Sequence, residues 1–256
     1  MSPAAKRSLA LTEPAFTKGA FTFFRGLARH NERTWFEEHR AAFERDVKAP
    51  LVALVEEMDA RLGGFAPEMI GNRRRSVFRI HRDVRFSNDK RPYKTNAACW
   101  FFHRDVASAR QGARAGETAG GAVHGGAGLY FQLAPGDCWA GGGLWMPPRP
   151  ALNVVREALA EDHEALASIV SAPEFVRRFG ALDAEAMLTR MPRGYEPGHP
   201  AAAWLRYQSF TAGRRLTDDE VLGAGLADRL EADYRALLPL IRWLNGTLGL
   251  PAAQRR

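Results

Sequence analysis

Residues Leu129–Met146 read LYFQLAPGDCWAGGGLWM. Two runs rich in aromatic and aliphatic residues, Leu129–Ala134 and Cys138–Met146, flank Pro135-Gly136-Asp137, a turn signal of hairpin length. The spacing predicts an antiparallel pair, so the middle of the chain is β. Working outward, Ser76–His81 and Asn96–His103 have the same short, branched and aromatic character. Gln208–Thr211 is a candidate for one more strand. Residues 105–128, DVASARQGARAGETAGGAVHGGAG, are too small and polar to bury a face. They are expected to form a flexible insertion between two strands.

The flanks are helical. Residues 17–30 place Phe21, Phe24 and Leu27 on one face behind Thr17 as N-cap. Thr34-Trp35-Phe36-Glu37 has capping-box spacing and predicts a second helix running to about Lys48, with Phe36, Phe43 and Val47 inward. Pro50 suits a first turn, and Leu51, Leu54, Val55, Met58 and Leu62 make an apolar stripe. Further helices are expected over 150–168, from Pro173, and from a second capping box at Thr217. The last carries Leu226, Leu230, Tyr234, Ile241 and Leu244, and Pro239 should kink it. The expected fold is α+β. It is a single domain over 16–248, with an antiparallel sheet of about 4–5 strands covered by helices from both ends and residues 1–15 as a disordered tail.

The formal charge is +7, and it is concentrated: nine Lys/Arg fall between Arg73 and Lys94 against two Asp. Such a cluster attracts phosphate, whether on a polymer or on a small molecule. Cys99 and Cys138, each beside Trp, read as buried thiols rather than a disulfide. No stretch has the length of a membrane span, and MSPAAKRSLALTEP lacks the apolar core of a secretory signal, so a cytoplasmic location is expected. The seven His show no paired metal-ligand spacing, and phosphate-loop, dinucleotide, nucleophile-elbow, C-x-x-C and H-E-x-x-H patterns are missing. No cofactor follows from the sequence.

Arg79–Lys94, RIHRDVRFSNDKRPYK, holds six of the cations and both Asp. As a strand it puts Phe78, Ile80, Val84 and Phe86 on one face and Arg79, His81, Asp83 and Arg85 on the other. Arg82 then falls on the apolar side and needs a partner. Ser87-Asn88-Asp89 reads as a turn and Pro92 ends the run.

Arg79, Arg82-Asp83, Arg85-Phe86, Lys90 and Tyr93 match the pattern R-x-x-R-D-x-R-F-x-x-x-K-x-x-Y. In this the chain resembles an uncharacterised, mainly bacterial family, domain of unknown function 2461. Asn31–Phe36, Gly141-Gly142-Gly143 and Pro192–Tyr195 followed by His199-Pro200 are similar too, and the likeness spans most of 16–245. The resemblance brings no established activity.

The chemistry therefore rests on residue types. Arg79, Arg82, Arg85, Lys90 and Lys94 offer charge and forked donors to a phosphate or carboxylate. Asp83 and Tyr93 are the candidates for proton transfer. Gly141, Gly142 and Gly143 would let a ligand approach closely, and Arg193 and Tyr195 sit in a Pro/Gly-rich loop suited to a lid. The first reading is a pocket for a small phosphorylated or anionic ligand. The alternatives are nucleic-acid binding through 73–94 and a scaffold whose charges pin the fold.

Overall fold

The computed structural model of the chain describes residues 15–83, 89–108 and 125–253. Helix α1 (Lys18–Arg29) starts where expected, with the Thr17 hydroxyl accepting the Gly19 N–H at 3.2 Å. Helix α2 (Arg33–Glu38) begins one residue before Thr34, so no capping box forms there; its N-cap is Glu32, without a side-chain bond. The single helix expected to reach Lys48 is broken at His39, whose ring Nδ1 lies 2.9 Å from the Trp35 carbonyl. A turn, α3 (Arg40–Ala42), and a π-helical stretch over Phe43–Lys48 then lead into α4 (Ala49–Phe65). The stripe Leu51, Leu54, Val55, Met58 and Leu62 is buried as its spacing requires.

Strands β1 (Met69–Ile70), β2 (Ala97–His103), β3 (Gly128–Leu133), β4 (Cys138–Leu144) and β5 (Phe210–Leu216) form one antiparallel sheet in chain order. The β3–β4 turn closes through Asp137 N–H to the Ala134 carbonyl at 3.0 Å, with Gly136 at φ 73°, a value glycine adopts without cost. Helix α5 (Arg104–Ser108) follows β2 directly, and residues 109–124 of the expected insertion lie outside the described residues; its last residues are placed, with Ala127 buried and Gly128 opening β3.

The expected strand Ser76–His81 is not a strand. The edge of β2 is shared by β1, opposite His103 and Phe102, and by an isolated bridge from Val77 to Cys99. Between them the Asn72 side chain accepts the Arg74 and Arg75 N–H groups, and its carbonyl accepts those of Arg75 and Ser76. These local bonds separate β1 from Ser76–Phe78, which keeps two bonds to β2, Phe78 N–H to the Ala98 carbonyl and Trp100 N–H to the Ser76 carbonyl, both at 3.0 Å, before the chain leaves that edge.

On the far side, α6 (Arg149–Glu161) and α7 (His163–Ser171) replace one expected helix. Asp162 caps α7 by accepting from the Glu164 and Ala165 N–H groups. Helix α8 (Pro173–Phe179) and the short α9 (Ala202–Leu205) precede β5. The capping box at Thr217 is present, but it opens only α10 (Asp218–Leu222); Gly225, at φ 84°, separates this from α11 (Leu226–Thr247), which contains Pro239.

Register assigns the two faces of the sheet. Cys99, Phe101, Leu129, Phe131, Ala140, Phe210 and Ala212 share the buried inner face. Phe16, before α1, stacks on Phe131, and Tyr234 of α11 meets Phe101. Both thiols are buried here; burial pushes Cys99 far up and Cys138 to about 11, so neither is a reactive thiolate. The outer face carries Trp100, Phe102, Tyr130, Gln132, Trp139, Gly141, Gly213 and Arg215. No helix among the described residues is long and apolar enough to cross a membrane.

Candidate functional site

Past the β2 edge the chain folds back on itself. Lys94 N–H donates to the Ile80 carbonyl and Arg82 N–H to that of Pro92, each at 2.8 Å, around an antiparallel bridge between His81 and Tyr93. The motif is thus a hairpin rather than one long strand. Its tip, which holds Val84, Arg85, Phe86, Ser87 and Asn88, lies outside the described residues.

Asn31 pins this hairpin to the helices. Its side chain donates to the Tyr93 carbonyl at 3.1 Å and accepts the Tyr93 N–H at 3.0 Å. The Tyr93 ring is buried and stacks on Phe36 at 4.4 Å. Tyr93, a proton-transfer candidate on sequence grounds, is therefore first a packing residue. Asn31 was visible only as part of a family-like segment, because its partner is 62 residues away.

The arms carry the charge. Arg82 is half-buried, its Nη1 3.2 Å from Asp89 Oδ2, and its Nε is buried without a hydrogen-bond partner among the described residues. Asp89 also takes Arg91 at 2.6 Å, and the Arg91 bonds, more than Arg82, hold its carboxyl well below the usual range. Lys94 lies 5.5 Å above the Phe78 ring; burial first, then Arg79 and Arg82, lower its pKa. Alternation from Phe78 puts Arg82 and Lys94 on the side of the outer sheet face, and the exposed Arg79 and His81 on the other. Asp83 is half-buried and Lys90 exposed.

His81 lies against two rings, its centroid 6.3 Å from that of Phe36 and 5.1 Å from that of Tyr93. Its pKa is lowered, first by burial and then by the Arg79 and Arg40 charges. The folded state thus binds fewer protons than the unfolded one between the folded pKa and 6.5, and stability is lost as pH falls through that window. An NMR titration should place His81 below 6.5, and Arg79→Ala should move it back towards that value. A midpoint at or above 6.5 in the parent protein would contradict this arrangement.

A family model described as "Conserved hypothetical protein (DUF2461)" matches residues 19–243. The chain belongs to this family. No curated protein and no solved structure matches it. The family region includes the hairpin, the triple glycine and the Arg193 loop, yet the fold does not bring all three together.

In β4, every glycine of the triple pairs with both neighbouring strands, so no bulge interrupts it. A Cβ on Gly141 would lie 2.2 Å from the Trp139 ring, and one on Gly142 2.7 Å from the Gly128 carbonyl. The close approach that glycine permits here is used by the protein's own indole and backbone. Arg193 is exposed, and Tyr195 packs near His199, beside α9. Burial, then the Glu157 charge, raises the Tyr195 pKa, while Arg156 of α6 opposes them. Among the described residues no hydrogen bond, ion pair or ring contact joins this loop to the hairpin. A cleft of about 340 Å³ is lined by Phe16, Thr17, Lys18, Asp219, Leu222 and Gly223, none of them a sequence candidate. No group of three or more potential metal ligands occurs among the described residues.

Proposed function

We propose that the protein binds a small phosphorylated or otherwise anionic ligand at the hairpin, with Arg82 and Lys94 as its principal contacts. The observation that carries this is the buried Arg82 Nε, which has no hydrogen-bond partner among the described residues. A desolvated donor left unpaired costs stability, and a second cation beside it adds repulsion. An anion between Arg82 and Lys94 would relieve both. Arg79 is close enough to contribute charge, and Asp83, next to Arg82 in the chain, is the group proposed to exchange a proton with a bound ligand.

Arg82→Met tests this against a purely structural role. Asp89 keeps Arg91, and the lost Arg82 pair is partly exposed, so apo stability should change by less than about 1 kcal/mol. Thermal stabilisation by inorganic phosphate and sugar phosphates should meanwhile disappear; it is worth about 2.7 kcal/mol at a hundredfold excess over Kd. A variant that unfolds, or one that responds to phosphate like the parent, would leave the hairpin as a structural clasp.

A further inference from the structure

The outer face continues from the cations without a break. The Phe78 ring, which carries Lys94, lies 6.1 Å from Tyr130, and Tyr130 lies 5.8 Å from Trp139. Trp139 lies over two residues without side chains: Cβ atoms on Gly141 and Gly213 would fall 2.2 and 2.0 Å from its ring. Its inner side is thereby packed against backbone, and it remains half-buried rather than enclosed. Tyr130 is fixed as well, its hydroxyl donating to Gln132 Oε1 at 3.1 Å, and Asn96 donates to the same oxygen at 3.0 Å. Two immobilised rings on a sheet face, next to a paired arginine and lysine, combine a stacking surface with a phosphate site.

We infer that this face is the base-binding half of the same site, and that the ligand is a nucleotide. Its phosphate lies on Arg82 and Lys94 and its base on the half-buried Trp139, with Phe78 and the edge of Tyr130 between the two halves. The inference rests on the anion-binding reading above and adds the ligand's aromatic part. Charge complementarity decides the occupant: an apolar partner would leave Lys94 and the Arg82 Nε unanswered, whereas a nucleotide supplies an anion and a π-face in one molecule.

The full chain would be titrated by calorimetry with adenosine monophosphate, ribose 5-phosphate and inorganic phosphate at physiological ionic strength. Adenosine monophosphate should bind at least about tenfold more tightly than ribose 5-phosphate, from the contribution of one stacked base, and should quench tryptophan fluorescence. In Trp139→Leu the ratio of the two affinities should fall towards one. Because Trp139 also fills the space over Gly141 and Gly213, Tyr130→Leu is measured beside it and should narrow the ratio in the same direction. Equal affinities in the parent protein, or a ratio that neither variant changes, would overturn the nucleotide assignment and leave the anion site standing. Binding of none of the three would overturn both. A single-stranded oligodeoxythymidylate that binds far more tightly than the mononucleotide, with log K falling by roughly 0.7 per phosphate per decade of salt, would replace the mononucleotide by a polymer.

Discussion

Gly143→Ala should cost about 3 kcal/mol or more and lower the melting temperature by roughly 6–12 °C, given the size of the chain. Two effects add. Gly143 sits at φ 135°, a backbone region that side-chain-bearing residues rarely occupy. Its missing Cβ would also lie 2.0 Å from the Phe210 carbonyl oxygen and 2.6 Å from the Thr211 Cα, both backbone atoms of the paired strand. Neither can rotate away, so β5 would have to move as a unit. Chemical denaturation of the purified variant measures the loss. A change below about 1 kcal/mol would mean that β4 and β5 slide easily, and that the triple glycine serves something other than packing.

The same glycines show where the sequence stops being informative. Their number and place in a strand announced a close approach, but whether to a ligand or to the protein itself depends on Trp139 and on β5, about 70 residues away along the chain. Elements with a local cause were legible. The Leu51–Leu62 stripe, the Thr17 cap, the Thr217 capping box and the Pro135-Gly136 turn all follow from residues within a few positions of one another. Strands β2, β3 and β4 were legible because they are long runs of branched and aromatic residues. β1 was not, since two residues carry no periodicity. Nor was the helix break at Asp162, where one side chain that suits a solvated face equally suits a cap. Within the site, alternation did show that Arg82 falls on an apolar side and requires a partner. That Asp89 answers the Nη1 arm of it while Nε has no partner among the described residues, and that Asn31 anchors Tyr93 from 62 residues away, depend on side-chain placement which no spacing rule contains.

Asp233→Ala should be the most damaging single change in the charged layer, with a loss of about 3 kcal/mol or more. Asp233 is fully buried in α11 and holds two arginines, Arg178 of α8 at 2.7 Å and Arg214 of β5 at 2.8 Å. It therefore ties the last helix to a neighbouring helix and to the final strand of the sheet. Each arginine has a second, more exposed carboxylate, Glu174 for Arg178 and Glu220 for Arg214. A guanidinium stays protonated whatever its partners, so the variant leaves two cations facing each other over an apolar gap. The pairs at Asp233 are shielded from solvent, and salt screens them little, so the loss should persist at high ionic strength. Glu37→Gln provides the contrast. Glu37 pairs with Arg40 at 2.7 Å, but both side chains are about half exposed, and breaking such a pair should leave stability almost unchanged. Urea denaturation of both variants at low and high salt separates the two situations. A loss at Asp233 no larger than that at Glu37 would show that α8, α11 and β5 are held by apolar contact alone. The buried carboxylate would then need another explanation.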